Sequence, residues 1–186
     1  MNGIHGTKLC AAVVAVLAGA AYARCATYYV DCAGGSDTNI GTSVTGAWRT
    51  PAKVSGMTFA PGDSILLRRG TECRGRLWPK GSGAPDHPIT IGAYGSGPLP
   101  VIRGDADAPV VKLYNQQHWH IGNIESSGGS PYGIFIGGDR GLLRHFRIRD
   151  VVVHDVGGTA KTKSSGLIAV VAGGKDQTFD VLLRPR

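Results

Sequence analysis

The 186-residue sequence lacks several patterns, and each absence weakens one class of function. It has no Gly-rich phosphate-binding motif, no nucleophile elbow and no HExxH motif, so nucleotide-dependent, serine-hydrolase and zinc-protease chemistry have no support. After residue 23 no apolar run reaches the roughly 20 residues that cross a bilayer, so we expect a soluble mature protein without membrane spans. Apart from a short stretch near Trp48, the mature sequence has no segment with the hydrophobic period of a helix.

The first 23 residues are typical of a secretory signal peptide. Lys8 precedes an apolar run over residues 9–21, and small residues stand at Ala21 and Ala23, the positions that signal peptidase reads. We therefore predict that residues 1–23 are removed and that the protein is secreted to the periplasm or the extracellular medium. The mature domain would then comprise residues 24–186.

Glycine is abundant, with 29 residues scattered between short Val, Ile and Leu runs, which is typical of β structure interrupted by turns. The net charge is +7, and basic residues gather in two groups: Arg68, Arg69, Arg74 and Arg76, then Arg140, Arg144, Arg147 and Arg149. A solvated basic surface is the simplest interpretation of these groups. In an exported protein the charge also suits an acidic polysaccharide, which we predict as the partner in preference to nucleic acid or a membrane.

Three cysteines, Cys25, Cys32 and Cys73, remain after the signal peptide. In an oxidising compartment we expect one disulfide and one free thiol, and all three pairings are open. Pairing of Cys32 with Cys73 is favoured because each follows a predicted strand near the start of the domain.

An internal repeat is the most informative feature of the sequence. Residues 118–124 match residues 145–151 at an offset of 27. In both copies Asn123 and Asp150 occupy the equivalent position at the end of a predicted strand. Alternation along the two copies predicts four inward side chains: Trp119, Ile121, Phe146 and Ile148.

The repeat extends further along the chain. A third copy is predicted at an offset of 33, with Phe179 opposite Phe146 and Val181 opposite Ile148, and a second strand starting at Gly133 matches one starting at Gly166. The predicted unit is therefore a strand, a turn, a second strand and a turn. Such units cannot bury their apolar faces alone, so they must stack as parallel strands of a β-helix.

Short motifs mark the start of the domain, and Thr50 followed by Pro51 predicts the N-cap of a short helix. The motifs are YYVD (28–31), GGSD (34–37), GTS (41–43), AWRT (47–50), AKV (52–54), PGD (61–63) with IL (65–66), RG (69–70) and PITIGAYG (88–95). Together they resemble the N-terminal region of secreted right-handed parallel β-helix proteins of the pectate-lyase-like superfamily. The resemblance implies a capping helix, a polysaccharide groove along an outer face, and an active site of carboxylates and basic residues on central turns.

The fold class predicted is thus all-β, a right-handed parallel β-helix with a short N-terminal capping helix, incomplete at the C-terminus because Arg186 falls within the third repeat unit. We predict an exported polysaccharide lyase that acts by β-elimination on a uronate-containing polysaccharide, with this chain lacking the full active site. The alternatives are a non-catalytic glycan-binding or structural module and an inverting glycoside hydrolase. The expected protein is a monomer at full length, with no cofactor or metal site in this chain and Ca²⁺ only in the full-length protein.

No catalytic or cofactor-binding residue is assigned with these predictions, but several groups were candidates. A lyase requires clustered carboxylates and a basic residue, and the local set with those residue types is Asp150, His154, Asp155, Lys161 and Lys163. A hydrolase requires two carboxylates, for which Asp105 and Asp107 are close in sequence, although a loop is the simpler interpretation.

The other candidates each have a simpler structural interpretation. Asp31, Asp37 and Asn39 are oxygen ligands suitable for Ca²⁺, but in a Gly-rich loop such side chains usually cap the backbone. His118 and His120 are too few for zinc, so we expect surface histidines on either side of a buried Trp119. Trp78 is a candidate platform for sugar stacking or, more simply, a packed side chain.

Overall fold

The computed structural model describes residues 25–158, 165–173 and 178–184, so the predicted signal peptide lies outside the described residues. Nearly all regular elements are strands. In the described ranges, no helix is long and apolar enough to cross a membrane. The elements are β1 (Thr27–Val30), α1 (Pro51–Ser55), β2 (Ser64–Arg68), β3 (Glu72–Arg74), β4 (Ile89–Tyr94), β5 (Val101–Gly104), β6 (Val111–Tyr114), β7 (Trp119–Gly122), β8 (Glu125–Gly128), β9 (Tyr132–Gly138), β10 (Leu142–Arg149), β11 (Val152–His154), β12 (Gly166–Ala172) and β13 (Thr178–Arg184).

The strands form three parallel sheets. Sheet 1 has the order β1-β2-β4-β7-β10-β13, sheet 2 the order β11-β8-β5-β3, and sheet 3 the order β12-β9-β6. From β4 onward the chain visits sheets 1, 2 and 3 in turn, so each coil places one strand in each sheet beside the preceding coil. The result is an all-β, solenoid-like fold of stacked coils, as expected for units that bury their apolar faces against neighbours.

The first two copies of the predicted repeat stack in the predicted register, and the third does not. Phe146 pairs with Trp119, in agreement with the 27-residue offset. Val181 pairs with Phe146 and not with Ile148, so the prediction for the third copy was wrong by two residues. The register shifts at an irregularity after Leu143. A shift of two residues keeps the same face inward, so hydrophobic alternation cannot reveal it.

Each of the three coils from β4 to β12 contains three strands, so the predicted two-strand unit was wrong. The missed strands are the short sheet-2 strands β3, β8 and β11, two of which are largely polar. Ser126 and Ser127 are fully buried in β8, and Ser126 Oγ donates a hydrogen bond to the Gly133 carbonyl at 3.2 Å. A serine that finds a partner inside the solenoid can replace an apolar residue, and this breaks the pattern by which strands are predicted.

The match of Gly133 with Gly166 is also corrected. Gly166 pairs with Tyr132, and Ile168 pairs with the fully buried Ile134. Pairing Gly166 with Gly133 would shift the register by one residue and turn the inward side chains of β12 outward. The register is therefore set by burial of the isoleucines and not by the match between the glycines.

The core is a column of stacked aliphatic side chains on the inner face of sheet 1. In the parallel register Ile65, Ile91, Ile121 and Ile148 lie one above another, and each is at most 2% exposed. Burial of such a side chain contributes about 1.5–3 kcal/mol relative to exposure. The predicted inward positions Trp119, Ile121, Phe146 and Ile148 are confirmed by their burial.

Helix α1 and the loop before it close the first coil. Thr50 is the N-cap, as predicted, and its Oγ1 accepts a hydrogen bond from the Lys53 backbone N–H at 3.2 Å. Trp48 is 1% exposed, stacks on Tyr28 with ring centroids 4.9 Å apart, and donates from Nε1 to the Asn39 carbonyl at 3.0 Å. The favoured disulfide between Cys32 and Cys73 is present, which ties this loop to β3, and Cys25 is an exposed free cysteine.

The acidic side chains of this loop cap backbone groups. Asp31 Oδ1 accepts from the N–H groups of Ala33 and Gly34 at 3.0 and 3.1 Å. Asp37 accepts from the N–H of Thr50 at 3.0 Å and from its hydroxyl at 2.6 Å. Asn39 donates to the Ala47 carbonyl at 2.9 Å. The capping interpretation of these three residues is confirmed.

Candidate functional site

The outer face of sheet 3 carries a group of rings around one lysine, which we call the aromatic surface (Trp78, Lys112, Tyr114 and Phe135). Lys112 Nζ lies 4.9 Å from the Trp78 ring centroid, 5.3 Å from that of Tyr114 and 6.0 Å from that of Phe135. At these distances the ammonium group is attracted to the faces of the rings. The four side chains come from three successive coils, and they include Trp78, the candidate platform for sugar stacking.

Strand alternation places these side chains. Leu77 is fully buried and forms a bridge with Val111, so the next residue in each segment, Trp78 and Lys112, points outward. Lys112 pairs with Phe135 in the neighbouring strand. The Trp78 ring is held in place because Nε1 donates to the Pro109 carbonyl at 3.0 Å.

Two cavities adjoin the aromatic surface. One, of about 160 Å³, is lined by Trp78, Pro79, Lys80, Lys112, Tyr114 and Gln116. The other, of about 390 Å³, shares Lys80, Tyr114 and Gln116 and adds Gly81, Ser82, Asn115 and Arg140. Both cavities therefore combine an aromatic face with amide and cationic groups.

A network of polar side chains orders the rim of the second cavity. Asp139 accepts from the Tyr114 hydroxyl at 3.1 Å and from Asn115 Nδ2 at 2.8 Å, and these hydrogen bonds hold the pKa of Asp139 below its usual range. Gln116 Nε2 donates to the Pro79 carbonyl at 2.8 Å. The other amide atom of Gln116, Oε1, is buried and has no hydrogen-bond partner in the described part of the chain. A ring face beside fixed amide and hydroxyl groups suits a ligand with one apolar face and several hydroxyls.

The sequence-predicted catalytic set is only partly brought together, on the outer face of sheet 2. His154 Nδ1 lies 2.9 Å from Asp155 Oδ2, and His154 Nε2 lies 2.9 Å from Glu125 Oε1, a residue absent from the prediction. These hydrogen bonds raise the pKa of His154. Asp150 stands at a left-handed turn, where its carbonyl accepts from the Asn123 N–H at 3.0 Å. Lys161 and Lys163 lie outside the described residues.

The other acidic candidates and several arginines form ion pairs. Asp107 pairs with Arg76, so Asp105 and Asp107 are not a free carboxylate pair. Glu72 forms ion pairs with Arg74, at an N···O distance of 3.0 Å, and with Arg103, at 3.1 Å. Among residues 25–158, 165–173 and 178–184, no group of three or more His, Cys, Asp and Glu side chains is arranged to hold a metal ion.

Three histidines cluster at the start of β7. His118 had been expected at the surface, but it is buried, because a φ of 57° turns it out of the alternation of the strand. Its ring stacks on His145 with centroids 5.4 Å apart. His120 Nε2 lies 3.1 Å from His145 Nε2, so one ring donates and the other accepts. Protonation of both rings would remove the acceptor.

We expect this cluster to make the protein less stable in acid. Burial, together with the charges of Arg147, His145 and Arg149, lowers the pKa of His120 to about 4. Because the folded-state pKa is below the ordinary 6.5, the contribution of neutral His120 is present above that value and is lost as the pH falls toward about 4. Thermal unfolding between pH 4 and 7 should show the melting temperature of the unaltered chain falling in acid, and His120→Gln should flatten that fall.

His154 provides the control, since its pKa is shifted in the opposite direction. The stabilising contribution of protonated His154 is present below the ordinary pKa of 6.5 and is lost as the pH rises through the raised folded-state value. His154→Gln should therefore lose stability mainly at pH 5–6. Identical pH profiles for the two variants would contradict this assignment.

Comparison with known proteins identifies relatives of part of the chain. No protein-family model matches it. A lacto-N-biosidase of Bifidobacterium longum subsp. longum is 42% identical over 73 residues, which is 37% of this chain and 5% of that protein. Two crystal structures of a GH136 lacto-N-biosidase from Eubacterium ramulus, the selenomethionine derivative and the native protein, have TM-scores of 0.64 and 0.61.

The structural matches concern the fold. Each is 24% identical in sequence, covers 85% or 86% of this chain and 30% of the other chain. The chain therefore spans about a third of the length of these solved relatives. The comparisons support a β-helix-like fold of the kind found in a glycoside hydrolase family, and they do not confirm membership of the pectate-lyase-like superfamily.

Proposed function

We propose that this chain is a saccharide-binding part of an exported glycoside hydrolase, and that the aromatic surface binds the saccharide. The observation that carries the proposal is the arrangement of Trp78 and Tyr114 beside Lys112, next to two cavities lined by Gln116, whose Oε1 has no hydrogen-bond partner among the described residues. Aromatic faces supply apolar contact area, while the amide and hydroxyl groups set the orientation of a ligand.

The relatives favour hydrolysis over the predicted β-elimination. The curated and solved relatives are lacto-N-biosidases, so the hydrolase alternative is better supported than the lyase. We assign binding and not bond cleavage to these coils, because the carboxylates of Glu125 and Asp155 lie at sheet 2, line neither cavity beside the aromatic surface, and both hydrogen-bond to His154. On the whole protein, saturated products with new reducing ends would support hydrolysis, and unsaturated uronate products would support the lyase.

The handedness of the coils and the charge of the ligand are part of the same proposal. Parallel strands joined by successive crossings are right-handed in nearly all proteins, so we propose a right-handed β-helix. The net charge of +7 supports an acidic group on the saccharide.

We predict that Trp78→Ala weakens binding of lacto-N-biose by about tenfold or more, because losing a stacked ring removes about 1.5–3 kcal/mol of apolar burial. Isothermal titration calorimetry of the full chain measures the change. Leu182→Ala is the control, since Leu182 is an exposed apolar residue in β13 of sheet 1 and lines neither cavity beside the aromatic surface. Equal affinities for Trp78→Ala and the unaltered chain would remove the aromatic surface from the binding site.

A further inference from the structure

We infer that a second cleft, beside the ends of β2 and β4, binds the anionic group of an acidic saccharide, with Arg69 as the cation that recognises it. This inference deepens the proposed function and rests on it. The cleft has a volume of about 600 Å³ and is lined mainly by Asp31, Val44, Arg68, Arg69, Tyr94 and Ser96.

The stacking of the coils brings the two arginines to the cleft. Arg68 is the last residue of β2 and pairs with Tyr94, the last residue of β4. The Arg69 N–H then donates to the Tyr94 carbonyl at 3.0 Å. The two consecutive arginines at the end of β2 therefore lie beside the Tyr94 ring at the end of β4.

The two arginines differ in how their charges are compensated. Arg68 Nη1 donates to Asp31 Oδ2 at 2.7 Å, so this guanidinium is neutralised by a carboxylate. Burial raises the pKa of Asp31, but hydrogen bonds from Gly34, Arg68 and Ala33 outweigh burial and the net pKa is lowered. Asp31 is therefore ionised and committed to Arg68.

Among the described residues, the acceptors that hold the Arg69 side chain are neutral. Its Nη1 donates to the Gly97 carbonyl at 3.3 Å and its Nη2 donates to Asn123 Oδ1 at 3.2 Å. Within the ranges that the structure describes, no carboxylate forms an ion pair with Arg69. The guanidinium is thus held from two coils while its positive charge stays available, an arrangement that suits a carboxylate or sulfate.

The remaining lining favours a saccharide over a small free anion. The volume lies within the range of ligand pockets and exceeds what a lone ion fills. Tyr94 offers a ring, held edge-to-face by Tyr29 with centroids 5.1 Å apart, and Val44 adds an exposed apolar side chain. Ser96 lies on the exposed turn at the rim of the cleft. These groups suit a sugar ring that carries an acidic substituent.

Calorimetry with trigalacturonate and its methyl ester, at two salt concentrations, tests the inference. The full chain should bind trigalacturonate at least tenfold more tightly than the uncharged ester, with affinity falling at higher salt. Arg69→Gln should remove that preference and Arg69→Lys should retain part of it. Arg49→Gln is the matched control, since Arg49 is an exposed arginine that does not line the cleft. Competition by galacturonate or by galactose 6-sulfate then identifies the acidic group.

Two further results distinguish this site from the aromatic surface. Val44→Glu places a negative charge at the cleft on an exposed side chain, so it should abolish trigalacturonate binding even where Arg69→Gln fails to fold. If the chain binds lacto-N-biose through Trp78 but binds trigalacturonate no more tightly than its ester, this inference alone is overturned. Failure to bind either saccharide overturns it together with the proposed function.

Discussion

Removal of the disulfide between Cys32 and Cys73 is expected to lower the free energy of unfolding by about 4 kcal/mol, since it closes a loop with a sequence separation of 41. The bond joins the loop after β1 to β3 in sheet 2, so it links the capped end of the solenoid to a second sheet. Cys73 is fully buried, which adds a small packing cost to its replacement. Urea unfolding of the double variant Cys32→Ala with Cys73→Ala, compared with the oxidised chain, measures the loss.

Cys25→Ala is the control for the disulfide. Cys25 is exposed and unpaired, so its replacement should change the free energy of unfolding by less than about 0.5 kcal/mol. A double variant that unfolds at the same urea concentration as the oxidised chain would show that the loop after β1 is ordered without the covalent link.

Trp48→Ala is expected to cost about 3–5 kcal/mol, the range for removing a large buried aromatic side chain. Trp48 lies between the cap loop and the first coil, where its ring stacks on Tyr28. Lys53 Nζ lies 5.7 Å from the centroid of the indole, and Nε1 of the indole donates to the Asn39 carbonyl. Its loss opens a cavity that Gly41 cannot fill, since Gly41 has no side chain and faces the indole directly. Thermal and urea unfolding monitored by circular dichroism measure the effect.

Two variants separate packing from general effects on the loop. Trp48→Phe retains a stacked ring but leaves the Asn39 carbonyl without its donor, so we expect a smaller loss of about 1–3 kcal/mol. Ile40→Ala changes a side chain that is 79% exposed in the same loop and should be nearly neutral. A loss for Ile40→Ala as large as that for Trp48→Ala would contradict the role assigned to the buried indole.

The sequence predicted correctly those features that depend on a few neighbouring residues. The N-cap at Thr50 depends on two adjacent residues, and the inward positions Trp119 and Phe146 depend on strand alternation, so all were predicted. The capping roles of Asp31 and Asp37 followed from the usual behaviour of Asx residues in Gly-rich loops. Strand boundaries were less certain where buried polar residues interrupted the pattern, as at Ser126.

The candidate sites were predicted poorly, because their members are distant in sequence. Lys112 is 34 residues from Trp78 and 23 from Phe135 along the chain. Only the parallel register of sheet 3 places their side chains together. The same reason applies to Glu125, which contacts His154 although 29 residues separate them. No local motif signals such a contact.

The sequence by itself determined that the protein is built of stacked parallel strands with a helical cap, because apolar alternation, glycine-rich turns and N-cap chemistry act over a few residues. Only the tertiary structure decided the three-strand coil, the two-residue shift at β13 and the identity of the surfaces. Stacking of coils is governed by burial of the inward column as a whole, and that burial sets which outward side chains meet. In the sequence Arg69 is therefore one member of a basic group, whereas in the described part of the fold it is a cation held by two neutral acceptors and by no carboxylate.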